Sequence, residues 1–153
     1  MRALVQRVRE GAVHIDGAPV ASIGTGYVVL IGFGGSDQPE LVGTALWNRF
    51  IDKITCLRLF PDAHGPINAA LMDHGGEVLV VSQFTLYADI RKGRRPSFST
   101  ALAPDKAQRM FEAFVAALAS RGCTVRTGIF GADMDVHLVN WGPVTIWVDS
   151  EEL

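Results

Sequence analysis

The chain has 153 residues, 48% of them apolar and 20% charged, with a net charge of −2. That composition fits one globular domain over 1–153 with its own core, and it excludes a disordered chain or a dedicated nucleic-acid coat. No apolar run approaches the ~20 residues of a membrane span. Met1 to Val8 lacks a signal-peptide block, and Cys56 and Cys123 form no Cys-x-x-Cys pair, which fits a reduced cytoplasmic protein without structural zinc.

The opening reads as strands over Ala3 to Arg9, Ala12 to Ile15, Pro19 to Ile23 and Tyr27 to Gly32, with Asp16-Gly17 as a hairpin turn. Arg7 shares a strand face with Ala3 and Val5, so its guanidinium either finds a partner or lies at a strand end in water. Asp37-Gln38-Pro39-Glu40 has the form of a helix start, and Leu41, Ala45, Leu46, Phe50, Ile51 and Ile54 recur at helical spacing. Leu57 to Phe60 reads as a short strand ended by Pro61, and Glu77 to Gln83 as a Val-rich core strand. Pro104 opens a second helix with Ala107, Met110, Phe111, Phe114, Val115 and Leu118 on one face, stopped at Gly122. Strands over Thr124 to Ile129 and Val136 to Val148 follow, the latter broken at Gly142-Pro143. Many strands with two separate helices predict an α/β fold with a mixed, largely antiparallel, barrel-like sheet.

Several constellations carry little chemistry. Gly32-Phe33-Gly34-Gly35 lacks the Walker lysine and the full dinucleotide spacing, and a strand-to-helix turn explains it. His14, His64, His74 and His137 are scattered, and Asp133 and Asp135 read as a solvated strand edge. No Gly-x-Ser-x-Gly elbow is present. Nothing calls for a metal or cofactor. Arg91-Lys92-Gly93-Arg94-Arg95 is a short basic run, read first as a solvated loop.

Two segments are more specific. Gly142-Pro143 lies between two apolar alternating runs, where a proline disrupts strand pairing and X-Pro is the one bond type that adopts cis with any frequency. Val80 to Asp89 runs from a buried strand into Ser82, Gln83 and Thr85, neutral hydrogen-bonding groups at a strand end. Together, Ser82-Gln83-Phe84-Thr85-Leu86 and Asn140-Trp141-Gly142-Pro143-Val144-Thr145 resemble the two signature motifs of the D-aminoacyl-tRNA deacylases. The resemblance extends over essentially the whole chain, through Gln6-Arg7-Val8, Gly93-Arg94-Arg95-Pro96-Ser97-Phe98-Ser99 and Phe130-Gly131-Ala132-Asp133-Met134. It departs from the family's pattern at Trp141, where many members carry Asp.

The resemblance implies a cytoplasmic homodimer with active sites at the interface, hydrolysing the ester between a D-amino acid and the 3′-terminal adenosine of tRNA. Ser82, Gln83, Phe84 and Thr85 would form the catalytic end, with backbone N–H groups of Phe84 and Thr85 stabilising the oxyanion and the substrate's 2′-OH assisting. A covalent route through Thr85 has no evident base. Gly142 and Pro143, with the bond cis, would reach into the partner's pocket and reject L side chains by collision, so glycyl-tRNA would also be hydrolysed. Arg7, Asn140 and Thr145 would brace that turn. Arg91, Lys92, Arg94 and Arg95 would touch the acceptor stem. Two other readings stay open: an inactive RNA-binding dimeric module, and the related form with a trans Gly-Pro that acts on L-alanyl-tRNA.

Overall fold

A computed structural model describes residues 1–153. Its elements follow in the order β1 (Arg2–Ile15), β2 (Ala18–Ile23), β3 (Gly26–Gly32), α1 (Ala45–Cys56), β4 (Phe60–Asp62), β5 (Gly65–Ala69), β6 (Glu77–Ser82), α2 (Pro104–Ser120), β7 (Thr124–Thr127) and β8 (Asp135–Asp149). The main sheet runs β2-β1-β3-β6-β7, and β8 pairs with the other side of β1. Pairing is antiparallel around β1 and parallel where β3 meets β6 and β6 meets β7. The mixed α/β sheet with two helices, curled into a nearly closed barrel, is therefore the architecture expected from the alternating runs.

The two faces of this sheet bury different residues, because side chains alternate along each strand. Ala3, Val5, Tyr27, Val29, Ile31, Val78 and Val80 pack beneath both helices. Against them α1 presents Trp47, Phe50, Ile51 and Ile54, and α2 presents Met110, Phe111, Phe114 and Leu118. Fully burying a side chain such as Phe114 contributes about 1.5–3 kcal/mol. The concave face is smaller and holds Val8, Val13, Ile23, Val28, Leu79 and Val81.

Five local expectations need correction. β1 is one strand rather than two, since Gly11 is paired on both sides, to Ile23 of β2 and to Leu138 of β8. The first helix begins at Ala45, not at Asp37. Pro39–Leu41 forms only a 3-10 turn, Gly43 takes a φ of 83°, and the Thr44 hydroxyl accepts from the Trp47 N–H as the true cap. Pro61 lies inside β4 rather than ending a strand before it. β4 pairs only with β5, a strand not expected, and a two-stranded ribbon offers proline an edge position. β6 stops at Ser82, and β7 stops at Thr127.

The fifth correction concerns Gly142-Pro143. It does not separate two strands, because both flanks of β8 pair antiparallel with the same strand. Thr145 lies opposite Gln6 and Asn140 opposite Val8, so five steps along β8 match two along β1. The extra residues loop outward as a bulge, and β8 continues in the same direction.

Candidate active site

At the top of β6 the chain leaves the sheet sharply. The Gln83 N–H donates to the Ile31 carbonyl at 2.7 Å, and Phe84–Tyr87 then forms a 3-10 turn. The close approach needs Gly32, where an added Cβ would come within 2.6 Å of the Gln83 carbonyl oxygen. Phe84 and Thr85 open the turn, so their N–H groups have no partner within it. Both residues are exposed. The Gln83 side-chain amide donates to the Thr85 hydroxyl, which has no other side-chain hydrogen bond.

This strand end forms one wall of a cavity of about 660 Å³. Ser82, Gln83 and Phe84 line it together with Phe98, Phe130 and Asp133. Phe98 meets Phe84 edge-on, with ring centroids 4.9 Å apart. Three segments that sequence reading noted separately, around positions 83, 98 and 131, thus converge on one apolar space. Asp133 is the single ionisable residue on its lining. No histidine, lysine or cysteine stands beside it, so apart from the Asp133 carboxylate the lining offers positioning and hydrogen bonding to a carbonyl oxygen.

Phe98, Phe130 and Met134 also line the cavity, and the sequence alone gives them no site role. The signal present was weak: apolar residues beside Gly or Ser in loops that follow strands. Asp133 also reads differently in three dimensions, since it lines the cavity while Asp135 starts β8 opposite His14. Nor are all the histidines scattered. His14 and His137 meet edge-on at 4.7 Å on adjacent strands, brought together by the β1–β8 pairing.

The β8 bulge makes a second locus. Gly142 and Pro143 are exposed at its crest, and their peptide bond is cis. Gly142 has a φ of 137°, a value L side chains rarely adopt, and a Cβ there would lie 3.1 Å from an Arg7 nitrogen. The Asn140 side chain spans the bulge: its Oδ1 accepts from the Val144 N–H at 2.9 Å, and its Nδ2 donates to the Thr145 hydroxyl at 2.8 Å. Arg7 is 4% exposed and has no carboxylate partner. Its Nε donates to the Trp141 carbonyl at 2.9 Å, and Nη1 donates to the carbonyls of Pro66, at 2.9 Å, and of Leu59. Its guanidinium also lies 4.5 Å from the Trp141 ring centroid, with that of Arg9 at 3.5 Å. Burial, with Arg9 nearby, draws the Arg7 pKa down from its ordinary value.

The two loci are apart within one chain. Ser82 lies in the sheet row of Ile31, Ala3 and Val148, whereas the bulge lies near the row of Arg7 and Tyr27. On the unrolled sheet that is four residues along and three strands across, or about 13 Å by 14 Å. None of residues 140–145 lines the cavity.

The basic loop is closed by backbone bonds between Asp89 and Ser97. Within it Arg91 is already engaged, donating from Nε and Nη2 to the two Asp89 oxygens at 2.9 and 2.7 Å. Those bonds hold the Asp89 carboxyl well below the usual carboxylate range. Lys92, Arg94 and Arg95 are exposed and have no acidic partner.

A family model described as D-Tyr-tRNA(Tyr) deacylase matches residues 4–149. A D-aminoacyl-tRNA deacylase of Nitratidesulfovibrio vulgaris (strain DP4) is 54% identical over 154 aligned residues, covering 100% of this chain and 95% of the relative. One from Thermomicrobium roseum is 52% identical, covering 100% and 96%. Among solved structures, a protein titled c-Myc DNA Unwinding Element Binding Protein is 36% identical with a TM-score of 0.86, covering 97% of this chain and 98% of its own. A probable eukaryotic D-amino acid tRNA deacylase, 20% identical, shares the fold with a TM-score of 0.78, covering 96% and 97%.

Proposed function

We propose, from the premise that this chain belongs to the D-Tyr-tRNA(Tyr) deacylase family and is a D-aminoacyl-tRNA ester hydrolase, a mechanism that divides chemistry and selection between two subunits. The aminoacyl ester on the terminal adenosine enters the cavity beside Ser82 and Gln83. The N–H groups of Phe84 and Thr85 meet the ester carbonyl and stabilise the oxyanion that forms when water attacks. One such donor is worth about 10²–10³ in rate. The ribose 2′-OH, supplied by the tRNA itself, assists proton transfer. Gln83 and Ser82 orient the substrate.

The observation that carries this reading is the lining of the cavity: the strand end Ser82, Gln83 and Phe84, apolar walls, no histidine, lysine or cysteine, and Thr85 itself outside the lining. Water-mediated hydrolysis therefore outranks a covalent Thr85 route. The separation of Gly142-Pro143 from the cavity of its own chain supports delivery of that turn by a partner, in a cytoplasmic homodimer with two sites. Gly142 has no side chain, so its backbone approaches the substrate's α-carbon closely. An L side chain collides there, and a D side chain points away. Arg7, Asn140 and Thr145 hold the turn, and Lys92, Arg94 and Arg95, with Arg91 bound to Asp89, face the acceptor stem.

The test is deacylation of D-tyrosyl-, L-tyrosyl- and glycyl-tRNA by the wild type and by Thr85→Ala. The D and glycyl esters are expected to be lost and the L ester to persist, with Thr85→Ala still active because its N–H remains. Rapid loss of the L ester, or a dead Thr85→Ala, overturns the respective half of the scheme. Delivery in trans is tested by mixing subunits defective in the cavity with subunits defective at Gly142: shared sites regain activity.

A further inference from the structure

A four-residue 3-10 turn has poor hydrogen-bond geometry and little stiffness of its own. The turn that presents Phe84 and Thr85 has two bonds around it, from the Leu86 N–H to the Gln83 carbonyl at 3.2 Å and from the Ala88 N–H to the Thr85 carbonyl at 3.0 Å. Its far end, by contrast, is fastened to three separate parts of the fold through Tyr87.

The Tyr87 hydroxyl donates to Asp37 Oδ2 at 3.1 Å. Asp37 is 6% exposed, and the same oxygen accepts from the Gly34 N–H at 2.7 Å and lies 2.8 Å from the Met1 ammonium. The Tyr87 ring packs so closely on Gly34 that a Cβ there would come within 2.4 Å of Cε1. The Arg2 guanidinium lies 4.4 Å from the ring centroid, donates to the Leu86 carbonyl at 3.1 Å and pairs with Asp149 at 3.0 Å. The Thr100 hydroxyl donates to the Tyr87 carbonyl at 2.8 Å. Burial, reinforced by Asp37, raises the phenol pKa, so the hydroxyl remains a donor at neutral pH. None of these contacts lies on the cavity.

We propose that Tyr87, clamped between the buried Asp37 carboxylate and the Arg2 guanidinium, is a positioning residue that fixes the direction of the Phe84 and Thr85 N–H groups. This rests on the reading of those groups as oxyanion donors. A carbonyl binds whether or not the donors are well aimed, but the transition state needs them aimed. Loosening the clamp therefore lowers kcat and leaves KM in place. It also leaves the preference for D over L unchanged, because selection belongs to the Gly142-Pro143 turn.

Tyr87→Phe removes only the hydroxyl, and Tyr87→Leu removes the ring as well. Expected for Tyr87→Phe is a kcat lower by about tenfold, the effect of one lost hydrogen bond. KM should stay within about twofold, with the D-to-L ratio unchanged. Tyr87→Leu should lose more. Amide hydrogen exchange should quicken at Leu86 and Ala88, whose N–H groups close the turn, and not across β3 or β6. An unchanged kcat in both variants, a rise in KM alone, or exchange that quickens throughout the sheet would overturn the proposal. Exchange needs no substrate, so failure of the clamp and failure of the deacylation scheme give different results. If Tyr87→Leu does not fold, Tyr87→Phe decides.

Discussion

Replacing Arg7 with lysine asks whether one buried guanidinium holds the exposed turn. The guanidinium uses two nitrogens in two directions. Nε reaches the Trp141 carbonyl inside the bulge, while Nη1 reaches Leu59 and Pro66 in the ribbon around β4 and β5. A lysine ammonium is a single point, so it can occupy the Nη1 position or the Nε position but not both. Kept at Nη1, it retains the charge and two carbonyls and releases Trp141. One charge-assisted bond is worth about 1.5–3 kcal/mol, and the weakened stacking on Trp141 adds roughly 0.5–1 kcal/mol. The sum is about 2–4 kcal/mol, and a domain of this size shifts its Tm by roughly 2–4 °C per kcal/mol. A fall of about 4–16 °C is therefore expected by scanning calorimetry, together with faster hydrolysis of the L-tyrosyl ester relative to the D ester. A Tm within about 2 °C of wild type would refute the energetic reasoning. A lowered Tm with L rejection intact would refute the claim that Arg7 holds the selecting turn.

Three other outcomes follow from the geometry. Gly26→Ala places a Cβ 1.9 Å from the Glu77 carbonyl oxygen, within the β3–β6 pairing, so the soluble yield and the cooperative melt should collapse. The Asp89 carboxyl, depressed by its Arg91 bonds, adds closure of the basic loop that is fully present above the ordinary Asp pKa and is lost only as pH falls through the lowered folded value. Carboxyl NMR should find Asp89 still ionised at about pH 3, and Arg91→Gln should raise it toward the ordinary range, with the residue-91 backbone N–H still donating to it; titration of the wild-type group near pH 4 would count against the pairing. Changing Lys92, Arg94 and Arg95 together to glutamine should flatten the salt dependence of tRNA binding by about 0.9 in log–log slope per lost duplex phosphate contact, with little effect on kcat. An unchanged slope would remove the loop from the tRNA interface.

The strands most visible in the sequence are the continuous apolar runs buried on both faces, such as β3 and β6. A local signal misleads where a distant partner overrides it. Pro143 disrupts strand pairing locally, but β1 pairs with both flanks of β8 and turns the interruption into a bulge. Gly11 likewise looks like a break until β2 and β8 hold it from two sides. The helix start failed the other way, through a local cause: Gly43 and Thr44 supply a better cap than Asp37, which is used instead as a buried acceptor. At the candidate site, the strand end carrying Ser82 and Gln83 was legible because polar residues follow a Val-rich run. Phe98 and Phe130 were not, since only the tertiary fold sets them facing Phe84.

The pairing of β1 with β8 also sets a timetable. Arg2 and Asp149 are 147 residues apart in sequence, and Arg7 and Trp141 are 134 apart. At roughly 5–20 residues per second, a ribosome that has made Arg7 needs about 7–27 s more to make Trp141. Throughout that interval one edge of β1 has no strand beside it, and the Arg7 guanidinium lacks one of its three carbonyls. Contacts of such long span are the slow ones to form. The part of the molecule that would discriminate between mirror-image substrates is thus assembled last, and a nascent chain stalled before β8 would expose a sticky edge before it had any capacity to discriminate.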